Sequence, residues 1–202
     1  MTRSLFLFSS LGFCRQRAKT IISSTRQRSS AAKIKINTTI HPRAAVAATI
    51  QWTCPTTKSH HYLLVQRKNP PDQNKWSCPG GKIELGEETL TAAKREIEEE
   101  TQVRGCRWHS NSFLTTDAIV VDKQNKEQKG ASSYAFHYVI AHCFARIPAC
   151  ASQKAPAVVP SDDALDARWW TLAELHDLEC SEHTMKVINR AEELSDLGVL
   201  PV

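Results

Sequence analysis

Gly81 to Val103 reads GKIELGEETLTAAKREIEEETQV, and this run decides how the rest of the chain is read. From about Thr89 to Thr101 it has helical composition. Leu90, Ala92, Ala93 and Ile97 recur as an apolar stripe, and Ala, Lys, Arg and Glu are good helix formers. At about 100° per residue, Glu96 and Glu100 lie one above the other with Glu99 beside them, while Glu98 points elsewhere. Like charges stacked at i, i+4 destabilise an isolated helix by about 0.2–0.5 kcal/mol per pair. Lys94 and Arg95 precede the cluster and no basic residue interrupts it. A divalent metal carrying a phosphorylated substrate would turn that repulsion into coordination. Arg95 is placed to grip Glu87 with a two-point guanidinium–carboxylate contact, fixing the preceding loop on the helix.

That loop has its own punctuation. Pro79-Gly80-Gly81 is a turn sequence whose glycines permit close backbone approach, and Gly86 allows a second turn before Glu87. Glu88 or Thr89 is the candidate N-cap. A loop that runs into a helix N-terminus also suits phosphate oxygens.

The spacing resembles the Nudix box, G-x5-E-x7-R-E-U-x-E-E-x-G-U, with U a bulky aliphatic. Gly81, Glu87, Arg95, Glu96, Ile97, Glu99, Glu100 and Val103 match it, and Gln102 stands where the family has glycine. That glycine ends the helix, and a non-glycine residue in a left-handed conformation costs roughly 1 kcal/mol. Gln102 removes no ligand, so the departure bears on helix termination more than on catalysis. Trp76-Ser77-Cys78-Pro79-Gly80-Gly81 is similar to the family's W-x-x-P-G-G entry. Ser161 to Leu172 resembles the closing strand and helix of ADP-ribose-pyrophosphatase-like members. The resemblance covers roughly residues 43–195. It implies an α/β fold, the Nudix-type α/β/α sandwich with a mixed β-sheet and a catalytic loop-helix.

The resemblance further implies a metal-dependent hydrolase that cleaves the pyrophosphate bond of a nucleoside diphosphate linked to another moiety. ADP-ribose is the first substrate expectation and an oxidised dNTP the second. The alternative is a non-catalytic nucleotide sensor on the same scaffold, for which Gln102 is the one supporting residue. The proline that often marks ADP-ribose specificity, fifteen or sixteen residues past the box, is absent; Ala118 and Ile119 stand there. Glu96, Glu99 and Glu100 are the expected ligands for Mg2+ or Mn2+, with the Gly81 carbonyl as a backbone ligand by family analogy and Glu87 steering or binding through water. Arg95 belongs to the same catalytic set. The general base is sought on a late loop, at Asp162 or Asp163, with Asp163 the candidate carried forward. Arg67, Trp76, Gly80, Gly81 and His137 are the candidate substrate contacts. Trp52 and Tyr138 are further stacking candidates, although aromatic residues in strands are more often core.

The N-terminal third differs in kind. Residues 1–50 hold nine Lys or Arg and no acid; the first acid is Asp72. Residues 51–202 hold 17 basic and 21 acidic residues, so +9 and −4 together give the formal +5. Arg, Ser and Thr enrichment with early Leu5, Phe6, Leu7, Phe8 and Leu11 fits an organelle transit peptide over residues 1–42, followed by a hydrolase domain over 43–202. A mitochondrial address is preferred, because Arg3, Arg15, Arg17 and Lys19 can line one side of an amphipathic helix. Plastid or cytoplasmic placement is the alternative. A basic tail touching nucleic acid nonspecifically is the blander reading, and no specific nucleic-acid partner is expected. No stretch reaches the length of a membrane span. A nucleotide is the expected small-molecule partner, and a homodimer is left open.

The length beyond the leader allows one well-buried domain. Seven cysteines show no C-x-x-C pair, which gives a cysteine zinc site or redox motif no support and suits reduced thiols. The periodicity predicts strands at Ala44–Thr53, His61–Gln66, Cys106–Thr116, Ile119–Val121, Tyr134–Arg146 and Arg168–Thr171. Asp122 to Ser133 reads as a hairpin-like excursion and Ala149 to Pro160 as a flexible connection. Helices are expected at Leu172–Leu178 and Glu182–Leu194.

Overall fold

Both faces of one central strand are buried, and that dictates a layered molecule. In the computed structural model, which describes residues 41–121, 134–148 and 154–202, strand β1 (Arg43–Thr53) is buried almost throughout. It lies between β2 (His60–Arg67), antiparallel to it, and β7 (Tyr134–Arg146), parallel to it. Among the described residues the mixed sheet has eight strands. Its path runs β3 (Trp76–Ser77), β2, β1, β7, β5 (Arg107–Trp108). β4 (Gly80–Lys82) joins β1, β6 (Leu114–Val121) joins β7, and β8 (Ala164–Thr171) joins β2.

Alternate side chains go to opposite layers. Val46, Ala48 and Ile50 of β1, with Cys143 and Ala145 of β7, pack against Ala92, Ala93 and Ile97 of α1 (Thr89–Thr101). The intervening residues face the other way. Tyr62 and Leu64 meet Leu175 of α2 (Leu172–Leu175) and Ile188 of α3 (Thr184–Asp196), and Phe144 meets Ala191 and Leu200. The sheet is therefore sandwiched between α1 on one side and α2 with α3 on the other, the expected α/β/α arrangement.

Several boundaries differ from the sequence expectation. Cys106–Thr116 is not one strand. After β5 the chain leaves the ladder at Ser110-Asn111-Ser112, a turn composition, and rejoins when Phe113 N–H donates to His142 O at 2.9 Å. β6 then runs unbroken through Asp117 and Ala118. β8 begins four residues earlier than predicted, because Ala164 to Ala167 pair with β2. α2 stops at Leu175, and its start is held by a capping box in which Thr171 and Glu174 exchange bonds. α3 is displaced two residues toward the C-terminus. The two short strands β3 and β4 carry Trp, Ser, Gly and Lys, and only their pairing to β2 and β1 makes them strands. The hairpin-like excursion, part of the Ala149–Pro160 connection and nearly all of the leader lie outside the described residues. Among the described residues no helix is long and apolar enough to cross a membrane.

Candidate active site and metal centre

The box loop is pinned to the sheet by backbone. Gly81 sits opposite Val46 of β1 and Gly80 opposite Ala47, so the loop enters the fold as β4. A Cβ on Gly80 would lie 2.2 Å from Val46 O and 2.6 Å from Ala47 Cα, and its φ is +157°. Nothing but glycine fits there. Gly81 is required for a different reason: a Cβ would lie 2.4 Å from Glu96 Oε1. The Glu96 carboxylate thus lies flat over the Gly81 backbone.

Arg95 organises the acids around it. Its Nε and Nη2 donate to Glu87 Oε1 and Oε2, each at 2.9 Å, which is the two-point grip expected from the sequence. Nη2 also reaches Lys82 O at 3.0 Å, and Nη1 reaches Glu96 Oε1 at 2.8 Å and Glu99 Oε2 at 3.0 Å. One guanidinium therefore supplies the positive charge that the carboxylate stack lacks within its own run. Its contact with Glu87 holds that carboxyl below the usual carboxylate range. Glu98 points away and pairs with Arg104.

Glu100 is the buried acid. It is 6% exposed, and its Oε2 accepts from Gly80 N–H at 3.0 Å. Burial pushes its carboxyl up to about 8; the Gly80 N–H and the Arg67 charge oppose this, and the charges of Glu96 and Asp163 reinforce it. Burial also raises Glu96, in spite of its bond to Arg95. A cation placed among these oxygens would relieve both groups. Three carboxylates, one of them half-exposed and two partly or fully buried, form an all-oxygen donor set beside a glycine backbone. That set fits a hard divalent ion.

The late loop arrives at the far end of α1. Ser161 N–H donates to Glu100 O at 3.0 Å, Val159 N–H donates to Thr101 O at 3.0 Å, and the Ser161 hydroxyl donates to Glu99 O. These contacts satisfy carbonyls that a helix C-terminus leaves open. They bring exposed Asp162 and Asp163 beside the glutamates, and Asp163 Oδ1 accepts from Asn69 Nδ2 at 2.7 Å. Sequence reasoning found the aspartates but missed Asn69 and Ser161, which anchor the loop; no local pattern marks such contacts.

The remaining candidates divide. Arg67 lies beside this group: its charge acts on Glu100, and its Nε donates to Pro71 O at 3.0 Å. Trp76 does not present its ring to a ligand. It is 8% exposed, packs with Tyr62, Leu64, Leu175 and Ile188, and meets Trp170 edge-on at 5.1 Å, so burial of its large apolar surface has placed it in the core. His137 lies on the β6–β7 ribbon, where its Nε2 pairs with Asp117 Oδ1 at 2.9 Å. Gln102 ends α1 with φ 58° and ψ 14°, the left-handed conformation that the glycine would have taken, and its N–H donates to Glu98 O at 3.0 Å.

The chain has relatives of known kind. It is 40% identical over 62 residues to an ADP-ribose pyrophosphatase of Methanocaldococcus jannaschii; the match spans 31% of this chain and about a third (33%) of that protein's length. Its fold is similar to the NUDIX domain of Shewanella oneidensis NrtR complexed with ADP ribose, with 20% identity, a TM-score of 0.57, and coverage of 80% of this chain and 94% of that one. It is also similar in fold to a bifunctional NMN adenylyltransferase/ADP ribose pyrophosphatase from Francisella tularensis complexed with AMP and a manganese ion (22% identity, TM-score 0.52, 77% and 42% covered). The profile of the NUDIX domain matches residues 46–190, from Val46 in the central strand into α3, and the chain belongs to that family.

Proposed function

We propose that this chain is a metal-dependent pyrophosphohydrolase acting on a nucleoside diphosphate linked to a second group, with ADP-ribose the first candidate. The observation that carries this reading is that Glu96 and Glu100 meet the Gly80-Gly81 backbone while Arg95 ties Glu99 to Glu96, with the Asp163 charge acting on Glu100. The ADP-ribose pyrophosphatase relative and the ADP-ribose-bound fold neighbour support the substrate class.

The chemistry follows from charge. A diphosphate repels an attacking water oxygen, so the site must neutralise it. Glu96, Glu99 and Glu100 would hold Mg2+ or Mn2+, with the Gly81 carbonyl as a further oxygen. When bound, the ion offsets phosphate charge and polarises the phosphorus. Arg95 keeps Glu96 and Glu99 aimed at that position, and Gly80 N–H does the same for Glu100. Arg67, beside Glu100, is placed to meet a phosphate oxygen. Asp163, exposed and steadied by Asn69, takes the proton from the attacking water. The products are a nucleoside monophosphate and the phosphorylated remainder.

The test is a panel of nucleotide substrates with Mg2+ or Mn2+, scored for phosphate-containing products. Glu99→Gln should lower turnover by about 100-fold or more while leaving the fold intact, the size of loss seen when one transition-state contact is removed. Turnover unchanged in that variant would refute the assignment. The non-catalytic sensor finds little support: Gln102 leaves α1 ending where a glycine would end it, and all three carboxylates are present.

A further inference from the structure

A second polar cluster lies on the opposite face of the sheet from α1, where β2 meets α3. His60 Nδ1 and one carboxylate oxygen each from Glu192 and Asp196 lie within 4.8 Å of one another. Glu192 and Asp196 are one turn apart on α3, and His60 opens β2. None of these residues belongs to the box, and the hydrolase reading does not use them. We propose that they form a second metal site, selective for a late first-row divalent ion such as Zn2+, that staples α3 to the sheet.

The supporting shell is built from buried side chains. Glu192 Oε2 accepts from the Tyr62 hydroxyl and from Gln51 Nε2, the latter at 3.1 Å. Tyr62 is 0% exposed and Gln51 1%. Arg146 Nε donates to Gln51 Oε1 at 2.9 Å, so the amide is fixed with its NH2 toward Glu192. Arg146 is itself held by Ser195, one residue before Asp196. Two donors thus saturate one carboxylate oxygen and leave Oε1 facing His60 Nδ1 at 3.0 Å. His60 Nδ1 is also 3.0 Å from Oε2 and 3.1 Å from Gln51 Nε2, so Oε1 is the oxygen left for an ion, and the imidazole exchanges its Gln51 contact for the ion on binding. Fixing a ligand carboxylate by buried hydrogen-bond donors is what the outer shell of a metal site does.

Access and charge agree with this assignment. The His60 and Glu192 side chains are 25% and 22% exposed, and Asp196 is exposed, so one side opens to water for ion entry and for the remaining coordination positions. Two carboxylates attract a divalent cation. The imidazole sets its type, because nitrogen favours zinc and its neighbours over magnesium or calcium.

The experiment uses the full chain, stripped with a chelator and dialysed against Zn2+ in excess Mg2+ without nucleotide. Bound zinc is measured directly, and the thermal midpoint is read with and without zinc. One zinc per chain should remain, and it should raise the midpoint. Asp196→Asn, a change at an exposed position, should match the wild-type midpoint without zinc, bind zinc at least about tenfold more weakly and lose the zinc-induced rise. His60→Gln should behave alike. Glu99→Gln should bind zinc as wild type does, which separates this site from the box and its fate from that of the hydrolase reading. Equal zinc binding by wild type and Asp196→Asn, loss of zinc in Glu99→Gln alone, or no zinc uptake by wild type would each overturn the proposal.

Discussion

Two adjacent glycines separate stability from chemistry. A methyl on Gly80 meets backbone, Val46 O at 2.2 Å and Ala47 Cα at 2.6 Å, and backbone in a paired strand cannot give way cheaply. Gly80→Ala should therefore cost on the order of 1–3 kcal/mol of stability, read from the denaturant midpoint. The atoms nearest a methyl on Gly81 are the end of the Glu96 side chain, whose oxygens lie 2.4 Å and 2.6 Å away. That carboxylate can swing aside, so Gly81→Ala should keep the denaturant midpoint near wild type. It should weaken Mn2+ binding and lower turnover, because Glu96 is then off its position. A Gly81→Ala variant that unfolds early yet binds Mn2+ normally would contradict this division.

At the scale of the element, α1 carries a strained end. Gln102 holds φ 58° without the freedom of glycine. Gln102→Gly should stabilise the domain by up to about 1 kcal/mol and leave turnover unchanged, since Gln102 contributes no ligand. A lower thermal midpoint for the variant would show that the Gln102 side chain makes a contact worth more than the strain. The β6–β7 ribbon supplies a pH test. His142 is 5% exposed; Thr116 Oγ1 lies 2.9 Å from its Nε2, Phe113 packs beside it, and the nearby charge of His183 opposes protonation. Burial, the larger cause, depresses its pKa to about 4 from 6.5. The unfolded chain therefore takes up a proton first as pH falls. The stability is present above about pH 6.5 and is lost as pH drops toward 4, by up to about 3 kcal/mol for this group. His142→Gln should flatten that part of the denaturation free energy against pH; an unchanged slope would assign the loss to other groups. Elements also explain what the sequence disclosed. Tyr134–Arg146 was readable because its apolar run is long, and Cys143 to Ala145 near its end pack against α1 on one side and α3 on the other. The box was readable because its organising contact, the Arg95–Glu87 grip, falls within one loop and one helix. β3 and β4 were not, since Trp76-Ser77 and Gly80–Lys82 become strands only by pairing with distant segments. Asn69 and Ser161 were hidden for the same reason: their partners lie 94 and 62 residues away.

Across the whole molecule, the two candidate sites divide by sheet face. The face covered by α1 holds the carboxylates, and the face covered by α3 holds His60, Glu192 and Asp196. Both depend on β1, whose first residue is Arg43, and the family match begins at Val46. Ahead of them the chain carries its basic, acid-free segment, whereas the remainder is net acidic. We propose that residues 1–42 serve as an address, mitochondrial by preference, and contribute nothing to the site. The expected outcome is direct. A chain beginning at Arg43 should fold, and its Mg2+-dependent turnover should stay within about twofold of the full chain, because every residue assigned to the site lies between Arg67 and Asp163. Residues 1–42 fused ahead of a fluorescent protein should carry it to mitochondria, and replacing Arg3, Arg15, Arg17 and Lys19 by Gln should leave it in the cytosol, since import draws on positive charge along one helix face. If the shortened chain loses turnover while keeping its thermal midpoint, the basic segment is part of the substrate site, and its cations meet the phosphates there.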